Sequence, residues 1–312
     1  MNRKLLFSSI ALFFVVAVAL FLYMNTLTFK IQKALWGKNC TVSVAVTSKY
    51  KIFKFNNKKV PLMSVFKYFV ATPVLNKLED EKKSLNDIIV VKEDMIDRNT
   101  YSPMLKKYSP PFKISIGELL QYMVSESDNN ATDILINYIG GMQKLQMELR
   151  RYRLNNINIE ADEKMMTKDI DAQYLNVATP LDVIETMQVF REDKTYSYIL
   201  HPLQLYKAPL LSEEHKKFLD KIMIETVTGQ DKLKAGLPKD VILGHKTGMS
   251  SRKPDGVRIA ENDAGFVILP NGETYYIAVF VTESKMADKE NTALIAQISK
   301  IVYEYIVLKS RK

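Results

Sequence analysis

Strand-like patterning sits at both ends of this chain and is nearly absent from its middle. Residues 41–56, TVSVAVTSKYKIFKFN, are two alternating apolar runs around a short polar turn, which is the pattern of a β-hairpin. Residues 240–250, DVILGHKTGMS, read as another strand. Residues 264–284, AGFVILPNGETYYIAVFVTES, read as two more, joined at Pro270-Asn271-Gly272. From about Pro61 to His215 the signals are mainly helical. ISIGELLQYMVSES and NNATDILINYIGG are amphipathic, the second closing on a glycine pair, and TPLDVIETMQVFRE opens on a Thr-Pro helix start. The chain ends in ALIAQISKIVYEYIVL, apolar at helical spacing. Strands divided by so long a helical insert most simply form one antiparallel sheet, with terminal helices covering it and a helical domain beside it. A ligand site is then expected between the two lobes.

The chain can build such a core. Of 312 residues 47% are hydrophobic, with only 11 Gly and 11 Pro, which argues against disorder. The net charge of +9 is spread as lysines along the whole length, with no arginine-rich block and no basic stretch interleaved with aromatics. It reads as solvated surface, and no nucleic-acid partner is expected. Residues 1–25 differ in kind. A short basic start, Asn2-Arg3-Lys4, precedes an uncharged run from Leu5 to Tyr23, which reads as a signal peptide or a membrane anchor. The remainder is expected outside the cytoplasm, touching membrane only through that segment if it is retained. Cys40 is the only cysteine, so no internal disulfide is possible, and it lacks the preceding small residues of a lipid-modified cysteine.

Polar residues interrupt apolar stretches at three places. In PLMSVFKYFV (61–70) Ser64 and Lys67 lie one helical turn apart, with Pro61 read as near the helix start. Backbone N–H groups at a helix N-terminus favour a developing negative charge. A serine hydroxyl is a poor nucleophile until a base takes its proton. An ammonium among Phe66, Tyr68 and Phe69, deprived of water, gives up its proton more readily, which would suit Lys67 to that task. Ser127-Asp128-Asn129 precedes an apolar helix and by itself reads as a helix cap. Lys246-Thr247-Gly248 ends a strand and by itself reads as an ordinary strand exit.

Taken together, Ser-x-x-Lys, then Ser-Asp-Asn, then Lys-Thr-Gly resemble the motif set of class A serine β-lactamases and penicillin-binding proteins. The resemblance runs from about Cys40 to Leu308 and is closest to a branch described as cephalosporinases, with Met-Ser-Val-Phe-Lys around the serine and Ser-Asp-Asn-Asn-Ala after it. It implies an α/β domain plus an all-α domain: an antiparallel five-stranded sheet flanked by helices, with an inserted helical domain. The expected divisions are 1–25 as export segment, 26–63 with 210–312 as the sheet domain, and 64–209 as the helical domain.

The resemblance also implies roles. Ser64 is the nucleophile, and Lys67 or a glutamate acting through water is its base. Ser127 relays a proton to the leaving nitrogen. Lys246 and Thr247 take the substrate carboxylate, Asn129 takes the acyl side chain, and Tyr101 gates the entrance. The N–H groups of Ser64 and Met249, next to Gly248, form the oxyanion hole. The family's deacylating Glu-x-x-Leu-Asn aligns on Glu163, with Met166 and Thr167 in place of Leu and Asn; Glu160 and Asp162 are the next candidates. Met249 and Met63 are two further departures, the latter where many members carry a disulfide cysteine. His201, His215 and His245 do not cluster in sequence, so no metal is expected, and no cofactor is needed. His245, beside Lys246 on a strand, is expected to face the other way. Arg258 is a candidate partner for the substrate carboxylate. The expected partner is a small β-lactam, acted on by a periplasmic monomer. A D-Ala-D-Ala peptidase or a β-lactam sensor that acylates without turnover shares the same motifs and stays open at this point.

Overall fold

The structure is a computed structural model, and it describes residues 23–49, 51–152, 154, 156–193 and 211–310. The chain enters through helix α1 (Leu27–Ala34) and then forms the hairpin β1 (Thr41–Ser48) and β2 (Lys51–Phe55) and a short strand β3 (Val60–Pro61). The helical part follows: α2 (Lys67–Asp80), the strand pair β4 (Ile88–Val91) and β5 (Phe112–Ser115), then α3 (Ile116–Ser125), α4 (Asn129–Ile139), α5 (Met142–Arg151), α6 (Glu163–Lys168), β6 (Val177–Ala178), α7 (Pro180–Glu192) and α8 (Glu213–Ile224). The chain returns through β7 (Ile242–Met249), β8 (Arg258–Ile268) and β9 (Thr274–Ser284) and closes with α9 (Asp288–Ser310).

The five long strands form one sheet in the order β2-β1-β9-β8-β7, antiparallel throughout. The two chain ends thus meet as neighbours, β1 against β9, and the helical part is a long excursion between them. Both faces of the sheet are covered, which is why β1, β8 and β9 are buried almost residue after residue. Val42, Val44 and Val46 of β1, with Ile277, Val279 and Val281 of β9, pack under α1 and α9. The alternate positions Ala45, Ala264 and Ala278 are small, and with Phe266, Tyr276 and Phe280 they join the larger core of the helical part. Helix α7 falls within the span expected to be a separate helical domain, yet its buried Val183, Ile184 and Met187 share one cluster with these sheet residues.

Local signals act as read. Thr179 caps α7 by accepting from Asp182 N, with Pro180 in the first turn. Gly140 ends α4 in the left-handed conformation. Two details differ from expectation. Pro61 is not in the helix: it sits in β3, paired with Val177 of β6, and the helix begins two residues later as a single 3-10 turn, Met63–Phe66, running into α2. The β4–β5 ribbon inside the helical stretch was not anticipated, because its strands are only four residues each. Among the described residues no helix is long and apolar enough to cross a membrane. The apolar run from Leu5 lies outside the described residues except for Tyr23, as does His201.

Candidate active site

The tight turn at Met63–Phe66 holds Ser64 in a fixed position against β7. Asn262 of β8, wholly buried, donates to the carbonyls of Pro61 and Leu62 at 2.7 and 3.1 Å, and Met63 takes a positive φ of 48° immediately before the serine. Such a backbone persists only where its surroundings over-determine it. Gly248 faces this turn so closely that a Cβ there would lie 2.7 Å from the Leu62 carbonyl and 3.1 Å from the Ser64 nitrogen. The backbones of Ser64 and of the end of β7 therefore close on one another, as an oxyanion site requires.

Lys67 is completely buried, and the rest of the site explains how. Its ammonium donates to the Ser127 carbonyl and to Asn129 Oδ1, each at 2.6 Å, and approaches Ser127 Oγ at 3.4 Å. It also lies 3.0 Å from Glu163 Oε1, within ion-pair range though not aligned as a hydrogen bond. An ammonium has three donors, and burying one without partners is prohibitive. Lys246, equally buried, donates to Ser127 Oγ at 2.9 Å from the other side. Burial holds the Lys246 amine well below its ordinary range, and the charges of Lys67 and Lys232 push it the same way. Two amines thus converge on the Ser127 hydroxyl, whose residue has φ 60°.

Asp128 has the structural part in its motif. It caps α4 through Ala131 N at 2.8 Å and accepts from Ser102 Oγ and Met104 N, so it clamps the loop that presents Tyr101. Asn129 donates to Thr100 Oγ1 at 2.7 Å, and its carbonyl has a second lone pair beyond the one taken by Lys67. Glu163 opens α6, which Asp162 caps by accepting from Met165 N. Asp133 of α4 accepts the N–H groups of Glu163 and Lys164 at 2.9 and 3.0 Å, which fixes the glutamate's direction. Of the three acidic candidates, only Glu163 reaches the cleft; Glu160 accepts from Asn158 on the exposed side and Asp162 is spent as the cap. Thr167 lines the cleft, with its hydroxyl 3.1 Å from that of Thr100.

Ser64, Tyr101, Ser127, Asn129, Glu163, Thr247, Gly248 and Met249 all border one cleft of about 660 Å³, with Lys67 and Lys246 beneath it. The Ser64 hydroxyl has no hydrogen bond among the described residues and faces that space. Arg258 does not border it: its guanidinium is taken by Asp288 at 2.6 Å and by the Ser250 carbonyl, which corrects the expectation of a carboxylate contact. His245 faces away from Lys246, 2.8 Å from Asp263 on β8. Among the described residues no three His, Cys, Asp or Glu side chains gather as a metal site. Sequence reasoning missed Thr100, Asp133, Thr228, Lys232 and Asn262. None belongs to the three motifs: Thr228, Lys232 and Asn262 come from distant segments, Thr100 is the residue before Tyr101, and Asp133 lies on α4 one turn after Asn129.

This sheet-and-helix fold with a serine, two buried lysines and a carboxylate in one cleft is that of the serine β-lactamases. The profile of the β-lactamase enzyme family matches residues 26–306, and the chain belongs to that family. A β-lactamase of Bacteroides uniformis is 40% identical over 284 residues, 90% of this chain and 91% of that one. The β-lactamase VEB-1 of Pseudomonas aeruginosa is 34% identical over 98% of this chain and 99% of its own length. Among solved structures, a class A β-lactamase from Bacteroides cellulosilyticus superimposes with TM-score 0.81 at 44% identity, covering 90% of this chain and 99% of that one. The TLA-1 extended-spectrum β-lactamase superimposes with TM-score 0.82 at 35% identity, covering 91% and 99%. The protein is thus a class A β-lactamase, a hydrolase.

Proposed function

We propose that this chain hydrolyses cephalosporins through an acyl-enzyme on Ser64. Ser64 Oγ attacks the lactam carbonyl as its proton passes to Lys67 or, through water, to Glu163. The N–H groups of Ser64 and Met249 hold the oxyanion. Ser127, between the amines of Lys67 and Lys246, hands a proton to the departing lactam nitrogen. Thr247 and Lys246 receive the substrate carboxylate, Asn129 the acyl side chain, and Tyr101 borders the entrance. Glu163 then draws a proton from the water that releases the acyl group, and Thr167 takes part of the hydrogen bonding that an asparagine gives elsewhere in the family.

The observation that carries this reading is Glu163, buried and 3.0 Å from Lys67, in the same cleft as Ser64. A peptidase or sensor needs no such carboxylate. Cephalosporin preference is supported by the likeness to VEB-1 and to the extended-spectrum β-lactamase PER-1, 34% identical. The basic start and apolar run of residues 1–25 support export to the periplasm, and a cleft complete within one chain supports a monomer. The test is a time course with a cephalosporin, following ring opening by absorbance and the protein by intact mass. Many turnovers with little standing adduct are expected; one equivalent of ring opening and a lasting adduct would refute the hydrolytic role of Glu163.

A further inference from the structure

The cleft wall beside Thr247 contains an ion pair that the reaction scheme leaves unused. Glu261 of β8 is 1% exposed, and its Oε1 lies 2.5 Å from the ammonium of Lys232, itself 5% exposed. Lys232 lies between α8 and β7, within 3.4 Å of the Gly248 carbonyl and 3.3 Å of the Asn262 carbonyl. Both side chains border the cleft, next to the paired hydroxyls of Thr228 and Thr247, 2.7 Å apart.

The pair is poorly explained as a stabilising element. A buried ion pair offsets its desolvation only when further hydrogen bonds complete it. Neither oxygen of Glu261 has a hydrogen bond among the described residues, the approach of Lys232 being close but misaligned. What the carboxylate does change is the charge of the cleft. Lys246 is wholly buried, its amine spent on Ser127 Oγ and the Thr247 carbonyl, whereas Lys232 borders the cleft itself. Lys232 is then the cation of that corner, and Glu261 cancels it.

We propose that Glu261 determines specificity: as the counter-charge of Lys232 it weakens the capture of the substrate carboxylate and sets how strongly the cleft favours anions. The inference rests on the β-lactam reading above. A charge held constant from bound substrate to transition state alters capture and leaves the bond-breaking step alone. Removing it therefore shifts the second-order acylation rate at subsaturating substrate and the KM, with kcat little changed.

Four proteins test this: wild type, Glu261→Gln, Lys232→Gln and the double variant. Each is given an anionic cephalosporin and the methyl ester of its carboxylate at subsaturating concentration, and ring opening is timed by absorbance, which reports acylation and does not depend on deacylation. One added or removed charge in a partly desolvated cleft is worth roughly tenfold. Glu261→Gln is expected to speed acylation by the anion by about that factor, Lys232→Gln to slow it as much, and the double variant to fall between. The ester is expected to be insensitive to all three. Equal rates for the anion throughout, or a loss in Glu261→Gln shared by anion and ester, would mean that the pair is only structural. Should Glu261→Gln not fold, the comparison of Lys232→Gln with the double variant decides: removing the unopposed carboxylate must speed acylation by the anion, and no gain overturns the proposal. No ring opening by wild type sinks the proposed function and this inference together. Ring opening without the charge order sinks this inference alone.

Discussion

Replacing Asp133 with asparagine probes how the base proposed for deacylation is held. Asp133 binds the N–H groups of Glu163 and Lys164, the first turn of α6. Burial pushes its carboxyl up from 3.8 to about 7; the N–H of Glu163 opposes that shift, and the charges of Glu163 and Asp162 add to it. A carboxyl raised on folding favours the native state while protonated, so its contribution is full below pH 4 and is lost as pH rises toward 7. The amide does not titrate. Between pH 5 and pH 8 the variant should therefore gain about 3 kcal/mol relative to wild type, or on the order of 6 °C in Tm.

A second effect does not depend on pH. Asparagine accepts through one atom only, so one of the two N–H groups loses its partner, at about 1–3 kcal/mol. The first turn of α6 then tilts and Glu163 moves with it. Deacylation is expected to slow by roughly tenfold, the equivalent of about 1.4 kcal/mol. Thermal melts across pH and pre-steady-state kinetics with intact-mass detection read the two effects separately. A Tm difference that stays constant with pH would refute the raised carboxyl. Unchanged deacylation would refute its action through Glu163.

Glu163→Gln should leave acylation measurable and lower steady-state turnover by roughly 10²–10⁴-fold, with the adduct standing on Ser64 by mass. Gly248→Ala should keep the far-ultraviolet spectrum and lose acylation by about 100-fold or more, because its methyl meets the Leu62 carbonyl at 2.7 Å and forces β7 off the Ser64 turn. Thr179→Ala removes the cap of α7 and should cost about 1 kcal/mol in chemical denaturation, with kcat/KM unchanged.

Much of the fold is legible in the sequence because its signals are local. The alternation at 41–56 and the Pro-Asn-Gly turn at 270–272 specify β1–β2 and β8–β9, whose pairing follows from adjacency along the chain. Thr179-Pro180 and Gly140-Gly141 specify helix ends by the same kind of rule. The pairing of β1 with β9, more than 200 residues apart, is not local; sequence reasoning reaches only as far as one antiparallel sheet shared by strands at both ends of the chain. Pro61 shows the limit. Its neighbours fit a helix start, and only the distant β6 draws it into a strand.

At the site the same division holds. Ser64 and Lys67 are one helical turn apart, so their contact with the chemistry is written in spacing, and the same is true of Ser127 with Asn129 and of Lys246 with Gly248. Lys232, Glu261, Asp133 and Asn262 carry no such mark, because a charge becomes a counter-charge only when folding brings its partner within a few ångströms and excludes water from between them. Thr167 was legible as a departure, but its bond to Thr100 was not. The sequence by itself determined most of the helices, the long strands and the three polar motifs, since those depend on neighbours along the chain. Which carboxylate faces the serine, and which charges face each other across the cleft, was decided by tertiary packing, since those depend on distance in space.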